Sequence, residues 1–373
     1  MSGRTIATAD VAVIGGGLHG CSAALHCALR GLSVVVIEKN TVARHASGVN
    51  AGGVRRLGRD PAEIPLSLAS MATWHRIGDL VDDDCGFQPC PQVKLAESDA
   101  ELETLAERGR AVRALGYDHE ELIDRAALRN LLPAVAGHCV GGLASMGDGY
   151  ADPYRTTFAF KRKAQSLGVR FLEETRALDL VESGGDWQVE TSRGAVAGRH
   201  LVNCGGAWAG AVAERLGEPV PLQAIAPMMI VTARLPHFCD AVVGATGRPL
   251  SFKQMPNGTL VIGGGRLGVP DLTSERSELR FSELAKTARA AAELFPITRE
   301  TRIVRAWAGI EGRMPDDIPV IGPSARAERV VHAFGFSAHG FQLGPVVGGI
   351  VAELIATGGT NMPIEPFHIA RFS

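Results

Sequence analysis

The chain reads as an α/β protein with two interleaved domains: a parallel sheet flanked by helices, and an antiparallel sheet of α+β type. Three observations predict this. First, the apolar run Val11 to Ile14 leads through glycines and an alanine-rich segment to a second apolar run, Val34 to Ile37. That is the order of a strand–helix–strand unit whose strands are buried on both faces. Second, a strand followed by glycines and a helix returns at His200 to Gly217, and again in the tail. Third, the stretches Pro219 to Leu235 and Leu250 to Gly265 are strand-rich, with Asn257-Gly258 as a hairpin turn between alternating apolar residues.

Taken in order, the first helix runs to about Leu29 and Gly31 ends it. Asn40 to Pro65 is loop-like, and Ile64 to Leu80 has helical spacing. Ala100 to Leu115 and Asp124 to Leu132 read as surface helices. Asp152 caps a helix that carries Pro153 at its first position and runs to about Leu167. Val169 to Glu173 is a strand, and Trp187 to Ala197 folds as a hairpin around Ser192-Arg193-Gly194. Ser282 to Leu294 is a helix, and a last helix starts near Gly344. The expected nucleotide-binding domain is residues 1–85, 146–218 and 305–373. The expected second domain is residues 86–145 and 219–304.

Composition narrows the function. The 373 residues leave room for two or three domains, and the net charge of −2 comes with no basic stripe, so a nucleic-acid surface is not expected. Seven scattered cysteines with no CxxC pair give neither a zinc site nor a disulfide framework, and a reducing, cytoplasmic setting is expected. No signal peptide is expected from the first ten residues, and Val346 to Ala356, broken by two glycines and Glu353, is expected to be too short to span a bilayer.

The strongest motif is Val11 to Gly20, in which Gly15, Gly17 and Gly20 form GxGxxG between a strand and a helix. Gly15 permits the tight turn, Gly17 leaves room for a pyrophosphate, and Gly20 lets the helix lie close to the sheet. The helix amino terminus favours phosphate. Glu38 ends the second strand and suits ribose hydroxyls, which disfavours a 2′-phosphate. A second GxGxxG, Gly263, Gly265 and Gly268, is read as a decoy, because Pro270 and Asp271 stand where a helix should begin.

Beyond Glu38, the run Arg44 to Arg56 (RHASGVNAGGVRR) resembles the D-amino-acid-oxidase-like flavoprotein family. So do Gly149 to Thr157 (GYADPYRTT), Leu201 to Ala209 (LVNCGGAWA), Ala306 to Gly322 (AWAGIEGRMPDDIPVIG) and His332 to Pro345 (HAFGFSAHGFQLGP). The last two are similar to the catalytic subunits of opine oxidases and hydroxyproline dehydrogenases. The resemblance implies a Rossmann-like FAD-binding domain interleaved with a substrate domain. It also implies that FAD is held by Gly15, Gly17, Leu18, His19 and Gly20; by Glu38 and Lys39; and by His45, Ala46, Ser47, Asn50, Ala51, Gly52 and Gly53. Ala177, Cys204, Gly205, Trp208 and Gly309, with Gly340, Phe341, Gln342 and Leu343, complete that set.

The implied chemistry is oxidation of a C–N bond on a D-amino acid, a cyclic imino acid or an opine-like secondary amine, with imine hydrolysis. Two departures stand out. The carboxylate-binding arginines of glycine oxidase fall on Glu311 and Ala338. The lysine and the flavin-linking cysteine of sarcosine oxidase fall on Gln342 and Gly309. FAD is therefore expected to be non-covalent, with His45 the remaining attachment point. Arg55 is favoured over Arg56 as the carboxylate anchor, with Arg313 second, and at least one of Arg55, Arg56 and Arg59 is expected in solvent. Glu311 is either an anion in the pocket or the partner of Arg313 or Arg305. Lys253 and Gln254 lie on a strand that either covers the flavin or is exposed, and His339 either shuttles a proton or is structural. No metal is implied. Partner subunits or an electron-acceptor protein are expected from the opine-type relatives. The alternatives are an NAD(P)H-dependent flavin reductase or hydroxylase, and an FAD-carrying subunit active only with partners.

Overall fold

The structure is a computed structural model that describes residues 4–372. β1 (Thr5–Ile14), α1 (Leu18–Leu29) and β2 (Val34–Ile37) form the predicted opening unit. β1 lies between β2 and the strand Gly194–Asn203, parallel to both. Arg170–Leu172 extends the parallel sheet beyond β2, and Val330–Phe334 extends it beyond Leu201 to Asn203. The predicted strand at His200 is the second half of Gly194–Asn203, whose first half closes the hairpin with Asp186–Thr191. β1 starts earlier than the apolar run suggests because Gly194–Asn203 gives its polar first half a partner from Ala195 onward.

α1 is buried between this sheet and the last helix, Gly340–Thr357. The two helices approach closely because the facing residues are small. A Cβ on Gly348 would lie 2.1 Å from Ser22 Oγ. Leu25, fully buried in this layer, contributes about 1.5–3 kcal/mol by leaving water. The last helix begins at Gly340, four residues earlier than expected, and Gly340 itself packs against Phe336 and His19. By length and hydropathy it is the one helix among the described residues apolar enough to cross a membrane, yet it is 67% buried inside the protein.

The second sheet has eight strands: Ile303–Ala308, Met228–Thr232, Leu260–Gly263, Ser251–Gln254, Val242–Ala245, Gln92–Ala96, Gly141–Ser145 and Glu121–Asp124, in that spatial order. Val242–Ala245 and Gln92–Ala96 pair in parallel, and the other neighbours pair antiparallel. Helix Phe281–Leu294 covers one face, burying Leu284, Ala291 and Leu294 in the same cluster as Ile230 and Ile262. Ile303–Ala308 belongs to this sheet and runs across position 305. The segment expected as one helix from Ile64 to Leu80 is two, Ile64–Trp74 and Ile77–Val81. Asp152 caps Pro153–Ser166 as predicted, accepting the Arg155 N–H at 2.9 Å.

Candidate active site

The two sheets share one elongated cavity of about 830 Å3, from the turn after β1 to Val243, Ser251 and Lys253 of the second sheet. At its start Gly15 has φ +105°, and a Cβ there would lie 2.3 Å from the Cys204 carbonyl oxygen. A Cβ on Gly20 would lie 1.9 Å from the Gly15 oxygen, so α1 sits on the turn only because Gly20 has no side chain. Ser47 Oγ accepts the Leu18 N–H at 2.9 Å, which fastens the short helix Ala46–Val49 against the amino terminus of α1. His19 stacks on Phe336 with 3.6 Å between centroids, and burial pulls its pKa down to about 3.

Glu38 accepts the N–H of Gly16 at 2.6 Å with one carboxylate oxygen and that of Asn40 at 2.8 Å with the other. Burial raises its pKa. Each oxygen keeps a lone pair for a further donor, as ribose recognition requires. Beside it, Lys39 Nζ lies 2.9 Å from the centroid of the Trp208 ring and 3.1 Å from Glu275. Glu275 comes from the hairpin Val269–Asp271 and Arg276–Glu278 that follows the second glycine motif. It also accepts from Asn40 Nδ2 and Arg176, each at 2.5 Å, and lies 3.8 Å from His45. Burial alone would raise its pKa, but these donors hold it at about 2. This hairpin therefore clasps the end of the cavity beside Glu38, and His45 is part of the clasp, with its pKa drawn down to about 4 by burial.

Next along the cavity, Asn50 braces its own loop, donating to the Ala46 oxygen at 2.9 Å and accepting the Gly52 N–H at 2.7 Å. Lys253 Nζ donates to the Ala51 oxygen at 2.6 Å over the Tyr150 ring. Burial draws Lys253 down to about 7. Lys253, Asn50 and Ala51 also line a second cavity of about 640 Å3, which includes Arg44, Arg276, Arg305 and Trp307.

The far end is a chamber with cations and one unmatched anion. Arg55, Arg59 and Lys94 line it. Burial lowers the pKa of all three, to about 9 for Arg59. Arg59 is 2% exposed, and its Nη2 donates to the His339 oxygen at 3.0 Å and to Gln342 Oε1 at 3.1 Å. Its Nη1 makes no hydrogen bond. Glu311 accepts the Ala338 N–H at 2.6 Å and has no ion-pair partner among the described residues. Burial pushes its pKa up to about 7, with only the Ala338 N–H opposing.

All the cofactor residues expected from the sequence line this cavity except Gly20, Gly309, Gln342 and Leu343. Gly20 acts under the turn. Gly309 faces the second cavity. Gln342 is fully buried, exchanging hydrogen bonds with Ser67 and taking Arg59, while its carbonyl takes Ser70 and Trp74. Leu343 is in the helix core. Of the catalytic candidates, Arg55, Glu311, His339 and Lys253 all line the cavity. Arg313 does not; it is a surface residue paired with Asp317, not with Glu311. Arg56 is tied to buried Asp148 at 2.8 Å. None of the three clustered arginines is therefore a solvated surface residue. Gln254 is 3% exposed and turned toward Phe238, so its strand face is not open. Sequence reasoning missed Lys94, the inward turn of Arg59, and Glu275. Only the arginine cluster carried any signal.

A glycine turn before a helix, a buried acid after the second strand and a cavity that runs on to the second sheet are the arrangement of a dinucleotide-dependent oxidoreductase. Comparison with known proteins specifies the group. The chain belongs to the family described as FAD dependent oxidoreductase, matched over residues 10–354, and it is an FAD-dependent enzyme. It is 27% identical to sarcosine oxidase subunit beta of Rhizobium meliloti (strain 1021), over 97% of this chain and 88% of that protein. It is 25% identical to glycine oxidase of Geobacillus kaustophilus (strain HTA426), over 97% of both chains. Among solved structures, L-proline dehydrogenase from P. horikoshii superposes with a TM-score of 0.91 at 25% identity, over 98% of both chains.

Proposed function

We propose that this enzyme oxidises the C–N bond of an amino acid bearing a secondary amine, of the cyclic imino-acid or N-substituted type. The observation that carries the reading is the chamber's charge layout. Arg55, Arg59 and Lys94 stand together, and Glu311 stands apart from them without a cation. A zwitterion matches both, its carboxylate at the cations and its ammonium at Glu311. The relatives named for sarcosine, glycine and proline support a small amino-acid substrate.

The residues present fit FAD. The Gly15 turn leaves backbone space where pyrophosphate would rest, Glu38 keeps free lone pairs for ribose, and the Asn50–Gly53 loop is lined with small residues. FAD bound there supplies a two-electron hydride acceptor. The protein's own part is to hold the substrate C–H bond in place and to exclude water. Arg55 is the bidentate carboxylate anchor, and Glu311 orients the amine. Lys253 fixes the loop at Ala51. FAD is held without a covalent bond, since His45 is engaged with Glu275.

The test is an anaerobic flavin-bleaching screen over proline, hydroxyprolines, sarcosine, D-amino acids and opines. Bleaching by a secondary amino acid supports the reading; bleaching only by NADPH overturns it. Arg55→Ala is expected to raise KM for carboxylated substrates by ~100-fold with flavin retained. A second reading, that the chain works as one subunit of a complex, is supported by the relative named as a subunit and by the arginine-lined second cavity. Its mark is an isolated chain whose flavin is bleached by substrate but is reoxidised by a dye far faster than by oxygen.

A further inference from the structure

Glu63 precedes helix Ile64–Trp74 and is 1% exposed. Its Oε1 lies 3.1 Å from Nδ1 of His339 and 4.0 Å from Nη1 of Arg59. His339 lines the substrate chamber, and its other ring nitrogen, Nε2, has no hydrogen-bond partner among the described residues. The residue is rigidly presented. Its N–H donates to the Phe336 oxygen at 3.0 Å, and its carbonyl accepts from Arg59. The two residues before it, Ser337 and Ala338, both hold left-handed backbone (φ 49° and 68°), a conformation that non-glycine residues keep only where the surroundings enforce it.

We propose that Glu63 and His339 form a proton-accepting dyad, in which Nδ1–H of His339 donates to the Glu63 carboxylate and Nε2 takes a proton from the substrate ammonium. The proposal rests on the reading of the chamber as a secondary-amine site. In the step one N–H bond of the substrate breaks and an Nε2–H bond forms. The electron pair stays on the substrate nitrogen, and no oxidant is consumed. The product is the free amine, the form from which hydride can leave, and an imidazolium facing Glu63. His339 is the catalytic residue; Glu63 is a positioning residue that sets the tautomer and steadies the cation.

The surrounding charges agree. The groups facing His339 are Glu63, Arg59, Arg55 and Asp317, with Glu311 bonded to the preceding peptide at Ala338. Burial lowers the His339 pKa and Glu63 only partly restores it, so the ring is neutral and able to accept near pH 7. Burial pushes Glu63 up, but His339, Arg59 and Arg55 outweigh it, so Glu63 stays ionised. Glu311 has no ion-pair partner among the described residues and acts as counter-ion to the ammonium.

The experiment has two arms on the holoenzyme. The first is stopped-flow anaerobic flavin reduction between pH 5.5 and 9, with L-proline or sarcosine, whichever bleaches the flavin. His339→Gln is expected to lower the reduction rate by ~100-fold or more and to erase the acid limb of its pH profile. Glu63→Gln is expected to lower it by ~10-fold or more and to move that limb to lower pH, and Glu63→Asp to recover most of the rate. An acid limb that survives in His339→Gln and vanishes in Glu311→Gln overturns the proposal, as does a Glu63→Gln variant that is less stable but keeps the wild-type limb. The second arm is 15N NMR of ring-labelled histidines, with the His339 signal identified by its loss in His339→Gln. Proton on Nδ1 in the wild type, lost or shared with Nε2 in Glu63→Gln, is expected; proton on Nε2 in the wild type overturns the dyad. If neither amine bleaches the flavin, it is the substrate reading that fails, while the tautomer still decides whether the dyad exists.

Discussion

Glu311→Gln is expected to make the enzyme more stable and less active at once. Burial moves the Glu311 pKa from 4.5 to about 7. An acid whose folded pKa is raised holds its proton in the native state while the unfolded chain has already lost it, so stability falls as pH rises from 4.5 through 7. Above that window the full penalty applies, about 3 kcal/mol at 1.36 kcal/mol per unit. Glutamine has no charge to desolvate, and its side-chain oxygen still accepts the Ala338 N–H. The thermal midpoint of the variant holoenzyme should exceed that of the wild type by several degrees at pH 8.5, and the gap should close toward pH 4.5. In the same variant kcat/KM for amino-acid substrates should drop by ~100-fold, through the loss of the ammonium's counter-ion. A gap in midpoint that does not change with pH would refute the argument that Glu311 is a desolvated, uncompensated carboxylate.

Three further outcomes can be checked directly. Lys253 is the mirror case, a buried amine drawn down from 10.5 to about 7. Lys253→Met should therefore stabilise the protein most below pH 7, with an advantage that fades toward pH 10.5, read by denaturation midpoints across that range. Glu275→Gln removes the charge that gathers Lys39 and Arg176, and FAD affinity should weaken by ~10–100-fold, measured by flavin fluorescence after dilution. Because acid protonates Glu275 only near pH 2, lowering the pH to 5 should not mimic that variant. Gly15→Ala puts a Cβ 2.3 Å from the Cys204 oxygen at a positive φ, so the purified variant should be colourless while its far-UV circular dichroism stays near native.

The parts of the fold that were legible in the sequence are those set by local rules. The glycine turn, the Asp152 cap with Pro153 behind it and the Asn257-Gly258 hairpin follow from backbone sterics within a few residues. The decoy glycines after Leu260 were legible for the same reason, since Val269–Asp271 continues as strand where a phosphate loop needs a helix. What stayed hidden depends on distant partners. Arg59 turns inward because the His339 carbonyl and Gln342, 280 and 283 residues away, receive it. Glu275 reaches Lys39 from a hairpin whose own sequence carries no cofactor signal. Gln342, expected among the residues that hold the cofactor, faces Ser67 and Arg59 instead, because it lies on the side of the last helix that packs against helix Ile64–Trp74. For Glu311 both roles stayed open until Arg313 was found with Asp317.

The packing of α1 against Gly340–Thr357 has a consequence for biosynthesis. The first helix leaves the ribosome some 311 residues before its partner. At 5–20 residues per second that is roughly 15–60 s during which the apolar face of α1 that meets the last helix has no partner. For most of its synthesis the nascent chain thus carries an apolar face whose partner has not yet been made. Slowing translation near its 3′ end should lower the yield of soluble protein more than slowing it near the start.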